Sequence, residues 1–293
     1  MSKKQSRESR ERFSPDFWAH TWQELQQEAC FKASQEKHPE SWQRFYDQTA
    51  ATWEAVTGGG REAAGAITGA LASRGLVTQE TSVLEIGCGS GSLAMALAEK
   101  AARVTALDQS AGMLAVLRER ASVLPLDKVF PVEADWQSFE ADQFHDLALA
   151  AFFPPAMAPV GLERLEHHAR KACALVVGTG QEAFPLRRAI WEEVMDPALA
   201  ETGFQLTCAM GFLLASGRNP DLCHVSWQAR LDIEVAHAAQ FFESYFALFG
   251  KKGPGVRKSI LKVLHAFDGN GRLSLAGQAS AAMITWPVNK QRP

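Results

Sequence analysis

The run Val83-Leu84-Glu85-Ile86-Gly87-Cys88-Gly89-Ser90-Gly91-Ser92 constrains the fold of this chain more than any other segment. A short apolar stretch, suited to a strand buried on both faces, leads into alternating glycines and then into a helical sequence. Gly87 allows a tight turn, and Gly89 lets backbone approach a ligand with no Cβ in the way. Amides at the start of the following helix offer donors to a negative or polar group. Two commoner nucleotide loops fit less well. A dinucleotide fingerprint has Gly or Ala at its sixth position, where this chain has Ser92, and a P-loop requires a lysine that is missing here. Glu85 also precedes the loop, and a carboxylate there repels a pyrophosphate but favours an ammonium.

The surrounding sequence alternates strand and helix. Strands are expected at Ser82–Ile86, Arg103–Leu107, Lys128–Glu133, Asp146–Phe152 and Cys173–Val177, the last closed by Gly178. Helices are expected at Ser92–Ala101, Ser110–Ala121 with Ser110 as N-cap, and Gly161–Lys171. Apolar strands alternating with helices predict a doubly wound, Rossmann-like, mostly parallel sheet. Beyond residue 180 the pattern changes. A helix is expected over 185–200, and Val225, Trp227, Ala229 and Leu231 alternate with polar residues as in a strand. Helical spacing returns at 233–249 and 256–267, and Leu273–Val288 reads as a final strand after the turn at Asp268. A late antiparallel strand pair carrying a helical insertion, about 232–272, is therefore expected.

Upstream, Phe13, Phe17, Trp18, Trp22 and Leu25 recur at helical spacing, as do Trp42, Phe45, Tyr46 and Trp53 after Pro39. Gly58-Gly59-Gly60 marks a hinge, and 61–75 reads as a helix with Ala63, Ala66, Ile67, Ala70 and Leu71 on one face and Gly75 at its end. The domain organisation is read as an N-terminal helical extension or lid over 1–57 and a Rossmann-like domain over 58–293.

Glu85-Ile-Gly-Cys-Gly-Ser-Gly resembles the first motif of the class I S-adenosylmethionine-dependent methyltransferases, of the small-molecule type. Asp108 follows the second strand and resembles the acid that grips both ribose hydroxyls, a role open to a carboxylate because it can accept from a diol. Asp135 follows the third strand and resembles the acid that accepts from the adenine amine, with Trp136 beside it to stack on the base. The resemblance covers about residues 40–180. It implies a cofactor site formed by Glu85, Gly87, Cys88, Gly89, Asp108, Gln109, Met113, Asp135, Trp136 and Phe152, with S-adenosylmethionine as cofactor, S-adenosylhomocysteine as product and no metal. The helix bearing Trp42, Phe45 and Tyr46 resembles the lid of related small-molecule enzymes.

Methyl transfer from a sulfonium is an in-line displacement, in which orientation supplies much of the rate and no covalent enzyme intermediate is needed. A general base is required only if the acceptor must lose a proton. Enzymes that methylate exocyclic base or glutamine amines resemble one another in an Asn/Asp-Pro-Pro-aromatic motif. Here Phe153 stands at the polar position, before Pro154 and Pro155, which disfavours that chemistry. Trp42, Tyr46 and Phe153 are the candidate substrate residues. No catalytic base is assigned: His167 and His168 read as a solvated helix face, and Cys223-His224 lacks the spacing of a metal site.

Composition narrows the field further. Hydrophobic residues make up 46% and charged residues 22%, which excludes extensive disorder. The net charge of −3 gives no global reason for nucleic-acid or membrane binding. Five scattered cysteines with no C-x-x-C fit a reducing cytoplasm, and the charged first twelve residues do not read as a secretory signal. Two other functions remain open: a non-catalytic cofactor-binding protein, and a protein or RNA methyltransferase using the basic cluster Lys251, Lys252, Arg257 and Lys258. The expected partner is a small-molecule methyl acceptor.

Overall fold

Ser82–Ile86 forms strand β1, and its alternation sends Val83 to one face of the sheet and Leu84 and Ile86 to the other, all three fully buried. The structure, a computed structural model, describes residues 13–57, 60–123, 127–141, 144–180, 183–195 and 203–288. The charged start and Gly58-Gly59 of the expected hinge lie outside the described residues. The sheet continues with β2 (Arg103–Asp108), β3 (Val129–Glu133), β4 (His145–Ala151), β5 (Ala169–Gly178), β6 (Asp221–Glu234), the short β7 (Asp268–Gly269) and β8 (Arg272–Pro287). Its order is β3-β2-β1-β4-β5-β8-β6, with β7 pairing β8. The first five strands run parallel, and β8 is antiparallel to both β5 and β6. This is the expected mixed α/β architecture with its late antiparallel pair.

The helices are α1 (Pro15–Glu28), α2 (Cys30–Lys37), α3 (Pro39–Thr49), α4 (Trp53–Thr57), α5 (Gly60–Ser73), α6 (Ser92–Ala98), α7 (Ala111–Val123), α8 (Pro159–His168), α9 (Leu186–Val194), α10 (Phe204–Ala215), α11 (Val235–Ala247) and α12 (Pro254–Ala266). Pro39 opens α3 at its first turn, where a missing N–H costs nothing. Ser110 Oγ accepts from Met113 N at 3.1 Å, as an N-cap should. Gly75 has φ +69° just after α5, and Leu76 N reaches back to Leu71 O.

One face of the sheet packs Val83, Val104 and Leu147 against α5, α6 and α7 through Ile67, Leu71, Leu97 and Leu117. The other packs Leu84, Ile86, Leu107 and Leu175 against α8 and α10, with Trp22 of α1 and Trp286 completing the layer. A third cluster lies off the parallel sheet. The far halves of β6 and β8, around Leu231, Ile233 and Leu273, pack with α9, α11 and α12 and with Trp42 and Phe45 of α3.

Several boundaries differ from the sequence expectation. Helix α6 ends at Ala98 because Lys100 and Ala101 close the turn onto Leu97 O ahead of β2. On α5 the buried face carries Ala64 and Thr68 beside Ala63, Ile67 and Leu71, whereas Ala66 and Ala70 are only half-buried. Helix α9 stops at Val194, and positions 196–200 of the expected 185–200 helix lie outside the described residues. Helix α10 was not expected. Its sequence FQLTCAMGFLLA is apolar almost all round, so no polar stripe reveals its period.

Helix α10 is held by α1. Trp22 Nε1 donates to Gln205 Oε1 at 2.6 Å, and the Trp18 indole lies directly over Gly211, where any Cβ would overlap the ring. Gly211→Val is therefore expected to destabilise the protein by ~1–3 kcal/mol through overpacking. The shift of the urea midpoint at constant m-value measures it.

Candidate active site

A cleft of about 960 Å³ opens at the carboxyl ends of the parallel strands, the usual ligand position in an open α/β sheet. Its floor is built by the turns at the strand ends: Gly87 after β1, Asp108 and Gln109 at the end of β2, Asp135 and Trp136 after β3, and Phe152 and Phe153 after β4. Its outer wall comes from elsewhere: Phe31, Trp42, Tyr46 and Trp53 from α2–α4, and Trp191 and Tyr245 from α9 and α11. All three candidate substrate residues, Trp42, Tyr46 and Phe153, thus line the same cleft as Asp108 and Asp135.

The glycine loop has the expected backbone. Gly87, Gly89 and Gly91 have φ of +69°, +53° and +86°, values that side chains rarely tolerate. Gly87 has a further role that the sequence reading did not assign to it. A Cβ at Gly87 would overlap the Phe153 ring, so this glycine provides the close approach as well as the turn. Gly89 has open space around its Cα, with Met113 Sδ 4.0 Å from where a Cβ would sit.

Asp108 joins the loop to the next turn. Gly89 N donates to its Oδ2 at 2.8 Å and Ser110 N to its Oδ1 at 2.9 Å. Burial raises its pKa above the ordinary carboxylate value, and the backbone amides of Ser110, Gly89 and Gln109 pull it back. Each oxygen has a second lone pair with which to accept from a diol.

Glu85, Cys88, Gly89 and Met113 do not line the cleft. Glu85 is buried beneath the loop, and its Oε2 has no hydrogen-bond partner among the described residues. Burial, and then the nearby Asp108 charge, push its pKa up to about 8. At neutral pH the protein therefore holds Glu85 largely as the neutral acid, whereas the sequence reading took it as a carboxylate. The Cys88 thiol is raised well above its usual value by burial and by Glu85 and Asp108, so it is not a nucleophile.

The turn after β3 is braced from behind. Asp135 is exposed to the cleft and its Oδ1 accepts from Gln137 N at 3.1 Å. Trp136 is buried, its ring 5.1 Å from the Arg164 guanidinium and 5.6 Å from the His168 ring. Arg164 also donates to the carbonyls of Trp136, at 2.8 Å, and Phe139. His168 corrects the expected solvated face: it is buried with Nε2 unpartnered, while His167 is exposed beside Glu140. Asp146 sits at the opposite sheet end, where it accepts from Ser82 N and Oγ, each at 2.9 Å.

The aromatic wall is a set of mutually supporting rings. Trp42 lies 4.6 Å from Phe31, 5.9 Å from Tyr46 and 6.3 Å from Tyr245, mostly edge to face. Its indole N–H donates to Ser34 Oγ at 3.1 Å, and Ser34 Oγ donates to Leu248 O at 2.7 Å, tying α2 and α3 to the end of α11. Lys32 reaches Gln26 Oε1 at 2.7 Å on the rim. Sequence reading missed Phe31, Gln35, Arg187, Trp191, Gln205 and Tyr245 as cleft residues. The only signal was Tyr245 on an apolar helical face, which reads as packing.

Residues 83–172 match a family model described as a methyltransferase domain. Over this segment the chain is similar to a methyltransferase domain. The methyltransferase segment holds the glycine loop, Asp108 and Asp135, and it ends before the insertion that completes the aromatic wall. No curated protein matches the chain. Among solved structures, it is similar to the YcgJ protein of Bacillus subtilis at 14% identity and TM-score 0.49, covering 76% of this chain and 98% of that one. It is similar to coclaurine N-methyltransferase bound to N-methylheliamine and SAH at 17% identity and TM-score 0.42, covering 75% and 71%. A DhpI-SAM-HEP complex is similar at 21% identity and TM-score 0.43, covering 63% and 91%. Overlaps this loose carry no information on the acceptor. Among the described residues, no helix is long and apolar enough to cross a membrane.

His168, within the matched segment, gives the protein an acid-sensitive point. Burial, reinforced by His167 and Arg164, lowers its pKa from 6.5 to about 4. The unfolded chain therefore binds a proton at this histidine across that interval and the folded chain does not. Stability is expected to fall by ~1–2 kcal/mol between pH 7 and pH 5 through this residue. His168→Phe, which suits the apolar surroundings, should flatten that slope in urea titrations at the two pH values. An unchanged slope would remove His168 from the account.

Proposed function

We propose that the chain transfers a methyl group from S-adenosylmethionine to a small-molecule acceptor held against the aromatic wall. The observation that carries this reading is the continuity of one cleft from Asp108 and Asp135 to Trp42, Tyr46, Trp53 and Tyr245. The bound cofactor supplies an electrophilic methyl on a sulfonium and leaves as S-adenosylhomocysteine. In this reading Asp108 accepts from the ribose hydroxyls with the acceptor capacity left by Gly89 and Ser110. Asp135 accepts from the adenine amine, and Trp136, Gln109 and Phe152 wall the nucleoside. Gly87, where the loop reaches the cleft, faces the methionine end, with Glu85 buried beneath the loop. A cationic group near Glu85 would favour its ionised form and so satisfy its unpartnered oxygen.

The acceptor end is read from the side chains that line it. The described residues of the cleft include no histidine and no cysteine. The Tyr46 hydroxyl is pushed far above its ordinary pKa by burial and by Tyr245 and Asp108, so it serves as a donor and not as a base. An acceptor that brings its own nucleophile, such as an uncharged amine or a thiolate, fits this lining without an enzyme base, and Glu36 is the lining carboxylate not engaged with the cofactor in this reading. Phe153 offers an apolar surface where amine-holding relatives have an amide or acid, so shape orients the acceptor. We read residues 1–57 as an extension and 232–272 as an insertion on a domain spanning 58–293, and the chamber is lined by α2–α4 of the first and Tyr245 of the second. The free buried thiols of Cys88, Cys173 and Cys208 fit a reducing cytoplasm. In the basic cluster considered for RNA, Arg257 pairs with Glu243.

Two measurements test this reading. Asp108→Ala is expected to weaken S-adenosylhomocysteine binding about 10- to 100-fold, the scale of lost charge-assisted hydrogen bonds. Unchanged affinity by calorimetry would sink the ribose assignment. With methyl-labelled S-adenosylmethionine and a cell extract, label should appear in the small-molecule fraction. Label confined to RNA or protein would contradict the acceptor class, and cofactor binding without any transfer would favour a non-catalytic role.

A further inference from the structure

Two carboxylates from outside the methyltransferase core reach the backs of both turns that frame Asp108. Glu54 on α4 accepts through Oε1 from Ser90 Oγ at 2.6 Å, from Ser92 Oγ at 2.5 Å and from Arg120 at 2.6 Å. Ser90 and Ser92 flank Gly91 in the glycine loop, and Arg120, on α7, also donates to Ser90 O at 3.2 Å. Asp47 on α3 accepts through Oδ1 from Ser110 Oγ at 2.6 Å and from Gly112 N at 3.0 Å. Here α3 lies so close to α7 that a Cβ on Gly112 would stand 2.6 Å from Asp47 O.

These contacts form one continuous network. Glu54 holds Ser90 and Ser92, Gly89 donates to Asp108, Ser110 donates to Asp108, and Asp47 holds Ser110. Both helix starts beside the cleft thus receive a carboxylate from the N-terminal helices. Negative charge is favourable at these positions because amides there are unpaired within the helix. Burial would raise the Glu54 pKa, but hydrogen bonds from Arg120, Ser90 and Ser92 outweigh it and hold the group below the ordinary value. Glu54 is therefore a carboxylate at neutral pH.

The same helices carry the aromatic wall. Tyr46 and Asp47 are neighbours on α3, as are Trp53 and Glu54 on α4, and in each pair one residue lines the cleft while the other holds a cofactor turn. We propose that Glu54 and Asp47 are positioning residues, which set the two cofactor-gripping turns and lock them to the walls of the acceptor chamber. This inference rests on the cofactor site proposed above. Under it, the N-terminal helices are part of the foundation of the cofactor site, beyond the role of a cover that closes over it.

The test is the affinity of the folded protein for S-adenosylhomocysteine, read beside its melting temperature without ligand. Glu54→Gln and Asp47→Asn keep side-chain size and remove the charge. Each is expected to weaken S-adenosylhomocysteine binding about tenfold, the scale of one charge-assisted hydrogen bond expressed at the site. If Glu54→Gln does not fold, Ser92→Ala removes one member and leaves the Glu54–Arg120 pair. Ser92→Thr, which retains the hydroxyl, should then restore affinity. Folded variants that melt earlier yet bind within twofold of the wild type would overturn the proposal and leave the two acids a purely structural role. Absence of binding by the wild type would instead overturn the cofactor site itself.

Discussion

The Asp108 carboxylate, gripped by the amides of Gly89 and Ser110, is the interaction on which the site is built. Burying this group is unfavourable, and the direction of its pKa shows that burial outweighs the compensation. The compensation comes from backbone, so it works only if both turns stay in place. The glycine loop is one of those turns and the start of α7 is the other, and they belong to adjacent parallel strands whose ends meet at Ile86 and Leu107. Anything that moved β1 against β2 would leave a buried carboxylate with unmet acceptors. The fully buried Val83, Leu84, Val104 and Leu107 resist that movement by packing on both sheet faces.

The outer elements gain meaning from this constraint. A helical extension that only covered the cleft would need apolar contacts and nothing else. Here α3 and α4 bring charged groups to the backs of the glycine loop and of the turn before α7, and aromatic groups to the front of the cleft. The aromatic rings are in turn supported by Phe241, Tyr245 and Phe249 of the insertion, so the two segments outside the core brace each other across the mouth. A wall of interlocked rings has few rotamers to lose on binding, which under the proposed function would favour a rigid, shape-selected acceptor.

How much of this was legible depended on whether the signal was local. Strand β1, its loop and the Ser110 cap were readable because turn chemistry and burial act over a few residues. Helix α10 was hidden because it is apolar on nearly every side, and Ala64 and Thr68 because small residues leave a weak periodic trace. The cleft floor is built from the ends of β1 to β4, and Gly87, Asp108, Gln109, Asp135, Trp136 and Phe152, all named from the sequence, line it. Of the wall, Trp42 and Tyr46 were named from their helical spacing, but Phe31, Trp191 and Tyr245 were not, because they meet them only through tertiary packing. Asp47 and Glu54 were invisible for the same reason: a single acid on a surface helix looks solvated until its partner, many residues away, is known. Trp136 and His168 illustrate the converse: one was singled out for stacking and the other set aside as solvated, and the two rings pack against each other.

The end of β4 joins the floor of the cleft to its apolar chamber. Phe152 has φ +52°, an uncommon conformation for a bulky side chain, and its amide is pinned to Val176 O at 2.9 Å. Pro154 and Pro155 come two residues later and restrict the chain that could otherwise relax. Strain held by its surroundings in this way accumulates at functional sites. Its consequence here is directional: Phe152 is left exposed in the cleft, and Phe153 is laid over Gly87. A glycine is required at that spot because a ring, and not a solvated loop, lies over it. The apolar lining of the cleft therefore extends down to the glycine loop, and under the proposed function selection by shape would begin where the cofactor ends.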